Sequence, residues 1–115
     1  MGPLLETFTT ELRRGTLTLA VLSQLRTPQY GYSLVQRLEE AGVAIEQSTL
    51  YPLLRRLEKQ ELVTSSWDTT ESRPRKYYVI SPFGSEIYEQ LKMEWETMTV
   101  ELKSLLEGDE NHASD

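Results

Sequence analysis

Apolar residues recur at helical spacing in the first part of the chain. Residues 4–12 carry leucine and phenylalanine at steps of four, which predicts a short amphipathic helix. Residues 17–25 continue that spacing, with Gly15 between the two stretches as a candidate break. Pro28 predicts that the helix ends near Arg26, because proline disfavours helical backbone in the residue before it.

Two more helices follow. The stretch 32–41 has an apolar stripe on one face and precedes Gly42, a good C-cap because glycine enters the left-handed conformation without steric cost. The next helix has four leucines at helical spacing and runs to about Gln60. Ser48 or Thr49 is its expected N-cap, since a hydroxyl oxygen can accept a hydrogen bond from the free N–H groups of the first turn.

Two short stretches rich in β-forming residues, 62–67 and 75–80, predict a β-hairpin. The loop between them contains no glycine, so a tight two-residue turn is not expected. We expect Trp67 to pack against the body of the domain. Because neighbouring residues in a strand point to opposite faces, one of Tyr77 and Tyr78 should be buried and the other exposed.

A long helix is predicted at the C-terminal end, with Ser81 as its N-cap and Pro82 as its first residue. It should run to about Glu107 and stop at Gly108. Its apolar residues recur at alternating steps of three and four, which is the heptad seam of a coiled coil. The seam, and hence the predicted dimer interface, consists of Tyr88, Leu91, Trp95, Met98, Leu102 and Leu105. In so small a chain, the core of the domain is too small to cover a helix of this length.

The 115 residues contain no cysteine and one histidine, and the formal net charge is −6. These counts exclude disulfides, thiolate metal sites, cysteine nucleophiles and sites built from several histidines. The charge is unevenly distributed. Residues 12–80 carry ten basic and seven acidic residues, a net of +3, whereas residues 81–115 have a net of −7. A chain that is acidic overall therefore contains a basic part, which suggests two roles in two parts of the molecule.

Three helices followed by a hairpin is the order of a winged helix-turn-helix, a fold that is mainly α with a small β part (α+β). Its third helix enters the major groove of DNA, and the hairpin, or wing, flanks that helix. Here the leucines of the third helix share one face, and its cations and hydroxyl groups share the other. With Thr49 as the cap, Pro52 would be the third helical residue, where its missing N–H has no partner to lose. The predicted DNA contacts are Ser48, Thr49, Tyr51, Pro52, Arg55, Arg56, Lys59, Arg73, Arg75 and Lys76.

Side-chain chemistry divides these contacts into roles. Arginine can bond the edge of guanine with two hydrogen bonds, and tyrosine and serine hydroxyls can reach phosphate. We therefore expect Arg55 and Tyr51 to make the main contacts of the helix, and Arg56 and Lys59 to bind phosphate. The three wing cations should contact the flanking backbone or the minor groove.

The residues alone leave other interpretations open. One is a solvated basic face without a ligand, and another is a protein-interaction module that binds a partner through its coiled coil and acidic face. A third is a small-molecule sensor centred on Trp95. An enzyme is not indicated, because Ser-x-x-Lys, Gly-x-Ser-x-Gly and glycine-rich phosphate loops are missing from the sequence. No metal or cofactor is expected, and the longest apolar run, Leu19 to Leu22, is far too short to span a membrane.

Three separated motifs resemble those of PadR-type transcriptional regulators. The third helix contains Ser48 to Lys59, STLYPLLRRLEK, which resembles the recognition helix of that family. Tyr-Gly-Tyr at 30–32 and Arg-Pro-Arg-Lys-Tyr-Tyr at 73–78 resemble its second helix and wing. Two positions depart from the family pattern, because Glu61 and Ser72 stand where family members carry glycine.

The resemblance covers about residues 14–84 and implies a function. Such proteins are cytoplasmic homodimers that repress transcription from pseudo-palindromic operators, and their C-terminal helix pairs the subunits, often with help from the N-terminal helix. In the compact branch, planar aromatic drugs stack between paired tryptophans at the dimer centre. Trp95 occupies a similar place, either as a ligand-binding residue or as a packed residue of the interface. The expected organisation is a DNA-binding domain with an N-terminal helix over 1–80, a coiled-coil dimerisation helix over 81–107 and a disordered tail over 108–115.

Overall fold

The computed structural model describes residues 2–112, and within them the chain forms four helices and three strands. In chain order these are α1 (Gly2–Ser23), β1 (Gln29–Tyr30), α2 (Gly31–Glu40), α3 (Gln47–Lys59), β2 (Val63–Asp68), β3 (Arg75–Ile80) and α4 (Pro82–His112). The strands form one antiparallel sheet in the order β1-β3-β2. In the hairpin, Val63 pairs with Ile80 at one end and Asp68 with Arg75 at the other. The predicted winged helix-turn-helix, mainly α with a long C-terminal helix, is confirmed.

Aliphatic side chains of the first three helices, together with Leu25 and Val63 next to them in the fold, form most of the core. Those that are almost completely buried are Val21, Leu22, Leu25, Leu34, Leu50, Leu54, Leu57 and Val63. Burying one such side chain contributes about 1.5–3 kcal/mol, so this cluster holds α3 in place. Residues 2–16 and 89–107 are exposed and contribute nothing to it. The two ends of the molecule therefore extend beyond the domain.

α1 is one continuous helix, which corrects the predicted break at Gly15. A glycine inside a helix costs about 1 kcal/mol relative to alanine but does not end the helix. α1 ends at Ser23, before the predicted end near Arg26. The backbone continues there as a 3₁₀-type turn, because the N–H groups of Gln24 and Leu25 donate to carbonyl groups three residues back.

α3 begins earlier than predicted. Its N-cap is Glu46 instead of Ser48 or Thr49, and within the described part of the chain no side chain caps it. The N–H groups of Thr49 and Leu50 both donate to the carbonyl oxygen of Glu46, at 3.0 and 2.9 Å. Pro52 is therefore the sixth residue of the helix and not the third. It removes one backbone hydrogen bond on the exposed face of α3, where water can replace it.

The sheet differs from the predicted hairpin in two ways. A third strand, β1, pairs Tyr30 with Tyr77, and its two residues are too few to give a periodic signal. Tyr78 is buried as expected for one of the two tyrosines, whereas Tyr77 is half-buried. Trp67 is 62% exposed, so the prediction that it packs against the domain is wrong. The reason is its place opposite Lys76, near the free end of the hairpin and beyond the core.

α2 and α3 end in the same kind of turn. In each, a backbone N–H reaches back five residues, from Val43 at 2.7 Å and from Leu62 at 2.9 Å, which is the Schellman motif. The motif needs a left-handed residue, and this is Gly42 with φ 88° in one case and Glu61 with φ 64° in the other. A side chain with a Cβ in this conformation costs about 1–2 kcal/mol. α3 therefore ends in a strained turn.

The start of α4 is fixed against this turn. Ser81 is the predicted N-cap, since its Oγ accepts a hydrogen bond from the N–H of Gly84 at 2.9 Å, and Pro82 is the first helical residue. The Ser81 hydroxyl also donates to the carbonyl oxygen of Glu61 at 2.6 Å, and its N–H donates to that of Leu62 at 2.9 Å. A Cβ at Gly84 would overlap the Leu62 carbonyl oxygen, so this close approach requires glycine.

α4 ends later than predicted. It continues past Glu107, through Gly108, and ends at His112. One glycine weakens a helix without ending it, so Gly108 is not the stop that its position suggested. The helix therefore includes the first part of the predicted disordered tail, and residues 113–115 lie outside the described residues.

The strain at the end of α3 predicts that Glu61→Gly raises the free energy of unfolding by about 1 kcal/mol. Glycine adopts a positive φ freely, and this gain exceeds the extra entropy of glycine in the unfolded chain. Denaturant unfolding at a fixed protein concentration measures the change. Glu61→Ala is the matched control, because it removes the carboxylate but keeps the Cβ, and it should stay within about 0.5 kcal/mol of wild type. An equal gain in both variants would mean that the charge and not the backbone causes the strain.

Candidate nucleic-acid interface

The outer face of α3 brings together most of the residues predicted to contact DNA. Its four leucines are buried in the core. The predicted contacts that are exposed on its other sides are Ser48, Thr49, Pro52, Arg55, Arg56 and Lys59. Among the side chains of residues 2–108, no carboxylate lies within ion-pairing distance of Arg55, Arg56 or Lys59. Exposed guanidinium and ammonium groups on one helix can bind phosphates and guanine edges.

Tyr51 differs from the other predicted contacts because it is half-buried. Its ring packs over Gly31, the first residue of α2, where a Cβ would overlap the ring and the hydroxyl. The sequence signal for this contact was the glycine of the Tyr-Gly-Tyr motif, since glycine permits a close approach. Tyr51 therefore positions α3 against α2, and its contact with DNA stays a prediction.

Glu58, on the flank of α3, ties the wing to this helix. Its carboxylate accepts a hydrogen bond from the Ser65 hydroxyl at 2.5 Å and lies 3.8 Å from Nζ of Lys76. Ser65 belongs to β2 and Lys76 to β3, so one side chain of α3 contacts both strands. Burial and the nearby Glu58 carboxylate raise the pKa of the Tyr78 hydroxyl, which belongs to the same face of the sheet. This inner face of the wing is the one that faces α3.

The outer face of the wing is fastened to β1. The Tyr30 hydroxyl donates to Oδ2 of Asp68 at 2.5 Å, and Thr70 donates to Oδ1 through its hydroxyl and its N–H. These hydrogen bonds lower the pKa of Asp68 to about 2. The Arg75 guanidinium lies 4.2 Å from the centre of the Tyr30 ring, and Tyr77 packs edge-on against that ring. Contacts on both faces thus hold the wing in one position.

The three predicted wing cations are not equivalent. Arg73 is exposed in the loop between β2 and β3. Arg75 lies 3.9 Å from the Glu71 carboxylate, and Lys76 lies 3.8 Å from Glu58. Ion pairs this exposed contribute little, about 1 kcal/mol or less, so they can open when a phosphate competes. Arg73 forms no ion pair with the described side chains, those of residues 2–108, so among them it has no partner to give up.

The predicted seam of α4 is exposed except at its first residue. Tyr88 is buried. The exposed fraction of the remaining seam residues runs from 37% to 67%; these are Leu91, Trp95, Met98, Leu102 and Leu105. Further exposed apolar residues, which the heptad pattern did not include, are Leu4, Leu5, Phe8 and Leu12 on α1 and Met93, Val100 and Leu106 on α4. An apolar surface of this extent is typical of an interface.

Trp95 lines a cavity of about 380 Å³ between α1 and α4. Tyr88 and Lys92 line the same side, and α1 contributes Thr16, Leu19, Ala20 and Ser23. The lining combines apolar, aromatic and hydroxyl side chains with Lys92. The indole therefore borders space that a small flat molecule could enter.

The described residues hold neither a membrane span nor a metal cluster. None of the helices between residues 2 and 112 is long and apolar enough to cross a membrane. Among residues 2–108, whose side chains the structure describes, no three His, Cys, Asp or Glu side chains come together in a group that could hold a metal ion.

Comparison with known proteins points to one family. Residues 18–92 match the model of the transcriptional regulator PadR-like family. The crystal structure of a PadR family transcriptional regulator from Eggerthella lenta superposes with a TM-score of 0.85 at 46% identity, over 90% of this chain and 92% of that one. A PadR-like transcriptional regulator from Bacillus cereus gives 0.75 at 28%, over 84% and 96%. Transcriptional regulator Rv3488 of Mycobacterium tuberculosis is 32% identical over 75 residues, 64% of this chain and 70% of that protein.

The hydrogen bond from Tyr30 predicts that Tyr30→Phe raises the pKa of Asp68 from about 2 toward its ordinary value of 3.8. The Thr70 bonds remain, so the return should be incomplete. Because the folded pKa is depressed, this bond stabilises the protein above the unfolded pKa and is lost as the pH falls through the folded one. An NMR titration of the side-chain carboxyl carbons measures the pKa. Tyr77→Phe, which removes a neighbouring hydroxyl, is the control and should leave it unchanged; an unaltered Asp68 pKa in Tyr30→Phe would contradict the assignment.

Proposed function

Because this chain belongs to the PadR-like family of transcriptional regulators, we propose that it is a repressor that binds a pseudo-palindromic DNA operator as a homodimer. The observation that carries the proposal is the outer face of α3, where exposed cations lie beside a wing that Glu58 fastens to the same helix. That arrangement supports DNA binding over a solvated basic face. It also favours DNA over a protein partner, because the exposed charge beside the wing is positive. Binding would take place in the cytoplasm.

In this proposal each subunit inserts α3 into the major groove of one half-site. Arg55, near the middle of the exposed face, contacts a guanine edge, and Arg56 and Lys59 bind phosphates. Ser48 and Thr49, in the first turn of the helix, bring hydroxyl groups to the backbone. The wing contacts the flanking backbone or minor groove through Arg73, Arg75 and Lys76, and Arg73 is free to do so without breaking an ion pair.

A second copy of this chain covers the exposed stripe of α4. The stripe repeats every heptad, as in a coiled coil, and the N-terminal half of α1 adds exposed leucines to it. The pairing would place two copies of α3 about one helical turn of DNA apart, roughly 34 Å. The net charge of −7 on residues 81–115 keeps phosphate away from the dimer arm and toward the basic face.

A planar aromatic molecule is the proposed effector, and it binds beside Trp95. The cavity between α1 and α4 supports this, because Trp95 and Tyr88 supply flat apolar walls. The cavity borders the seam that joins the subunits, so an occupant would change the distance between the two copies of α3. Release from the operator would follow from that change in spacing.

The proposed base and phosphate contacts predict that replacing Arg55 and Arg56 together by alanine weakens operator binding about 30-fold or more, since two contacts worth about 1–3 kcal/mol each contribute at least about 2 kcal/mol. Gel retardation with the protein's own promoter region measures the affinity. Replacing Lys92 and Lys103 on α4 by alanine removes the same charge and should change the affinity far less.

Salt dependence checks the same prediction. The logarithm of the binding constant should fall with the logarithm of salt concentration, with a slope of about −0.9 for each phosphate contacted. The Arg55 and Arg56 double variant should show a shallower slope. Binding that is indifferent to salt, or equal in the two double variants, would contradict the assignment of α3.

The effector proposal predicts that planar aromatic cations and neutral dyes quench the fluorescence of Trp95. Trp67→Phe leaves Trp95 as the only tryptophan of the chain, which removes the background of the wing. Quenching should saturate with ligand concentration and should weaken operator binding in parallel. Quenching that rises linearly with ligand concentration and does not saturate, as in collisional encounters, would argue against a bound state.

A further inference from the structure

Trp67 does not pack against the body of the domain, contrary to what its sequence position had predicted. It is 62% exposed on β2, although tryptophan is costly to leave in water and usually packs. The packing contacts that hold the wing on α3 and β1 use other residues. Trp67 therefore has a surface available for a partner.

The indole lies on the inner face of the wing, the one that faces α3. Residues directly opposite each other in an antiparallel pair share a face, and Trp67 is opposite Lys76 while Ser65 is opposite Tyr78. Ser65 and Lys76 both contact Glu58 of α3. Trp67 lies two residues beyond Ser65 on that face, just past the place where α3 covers the sheet.

The surroundings of the indole carry positive charge. Nζ of Lys76 lies 5.9 Å from the centre of the Trp67 ring, which is within the range of a cation–π contact. Lys76 lies 3.8 Å from the Glu58 carboxylate, and Arg55 lies on the neighbouring helix close enough to Tyr78, on the same face of the sheet, to act on its pKa. An exposed aromatic ring among cations is the combination that packs on sugars and bases while the cations meet phosphates.

A second copy of this chain does not account for the exposure of Trp67. The proposed dimer surface lies on α4 and α1, and α4 begins where β3 ends. Trp67 pairs near the opposite end of β3, roughly 13 Å along the strands from Val63. Trp67 lies on the same side of the molecule as α3 and the loop between β2 and β3.

We propose that Trp67 is a DNA contact, whose indole packs on the deoxyribose wall of the minor groove next to the segment that α3 enters, with Lys76 above the ring and facing phosphate. The proposal rests on the proposed function, because it requires that α3 and the wing bind duplex DNA. The rigid wing makes the contact favourable, since its two fastened faces leave little conformational entropy to lose on binding.

Affinity for a duplex that spans both half-sites, selected with the wild-type protein from a random library, tests the contact. Trp67→Ala should weaken binding about tenfold, by analogy with other aromatic contacts to nucleic acid. Trp67→Phe should retain most of the affinity, because a phenyl ring still packs on a sugar. Phe83→Ala is the matched control, since Phe83 is an exposed aromatic at 50% but lies on α4, and its affinity should match that of wild type. Circular dichroism melts show whether each variant is folded.

Fluorescence separates a direct contact from a loosened wing. The chain has two tryptophans, so Trp67→Phe leaves only Trp95. Adding the duplex should shift the wild-type emission and protect it from acrylamide, and both effects should disappear in Trp67→Phe. If they persist in Trp67→Phe, the signal comes from Trp95 and the proposal is overturned.

The remaining outcomes of these experiments also test the proposal for Trp67. If wild-type protein binds the duplex and Trp67→Ala binds it equally well, Trp67 is not a contact, although the proposed function stands. If Trp67→Ala binds weakly but the wild-type emission does not respond to DNA, Trp67 acts only through the fold of the wing and the proposal is again overturned. If wild-type protein selects no duplex at all, the proposed function fails and this inference fails with it.

Discussion

The backbone of Glu61 and Leu62 is the constraint on which the rest of the molecule depends. It ends α3 in a left-handed turn, begins the wing, and accepts two hydrogen bonds from Ser81 at the start of α4. Gly84 lets α4 approach until it touches the Leu62 carbonyl. The helix proposed to bind DNA, the wing and the proposed dimer arm therefore meet at one turn. A displacement of the first turn of α4 would therefore act directly on the end of α3.

The wing is held by contacts that differ on its two faces. Glu58 joins its inner face to α3, and the Tyr30 and Asp68 hydrogen bond joins its outer face to β1. Through these contacts, some of the charged side chains of the wing already have partners within the protein. Arg73 and Trp67 stay exposed on the wing beside these contacts. The surplus of basic residues over 12–80 explains how a chain with a net charge of −6 can still present a basic surface.

Periodicity predicted the fold because its strongest signals, the leucines of α3 and the heptad of α4, place apolar residues on one face of a helix; the leucines of α3 are buried in the core, whereas the heptad of α4 is exposed beyond Tyr88. The Ser81 cap and the hairpin followed from local residue preferences. The predictions that were wrong have physical causes. β1 is too short to give a periodic pattern, and Gly15 and Gly108 weaken a helix without ending it. Trp67 was misplaced because exposure depends on where α3 stops covering the sheet. The outer face of α3 was predictable from its own spacing, but the Glu58 and Tyr30 contacts join residues that lie far apart in the chain.

Methylation interference at guanine N7 tests the central claim most directly, because this atom is reached only from the major groove. If two copies of α3 enter successive major grooves, methylated guanines should block binding in two clusters on one side of the duplex, about 10 base pairs apart. Interference in a single cluster would contradict the paired arrangement. Binding that tolerates methylation at every guanine would contradict the entry of α3 into the major groove.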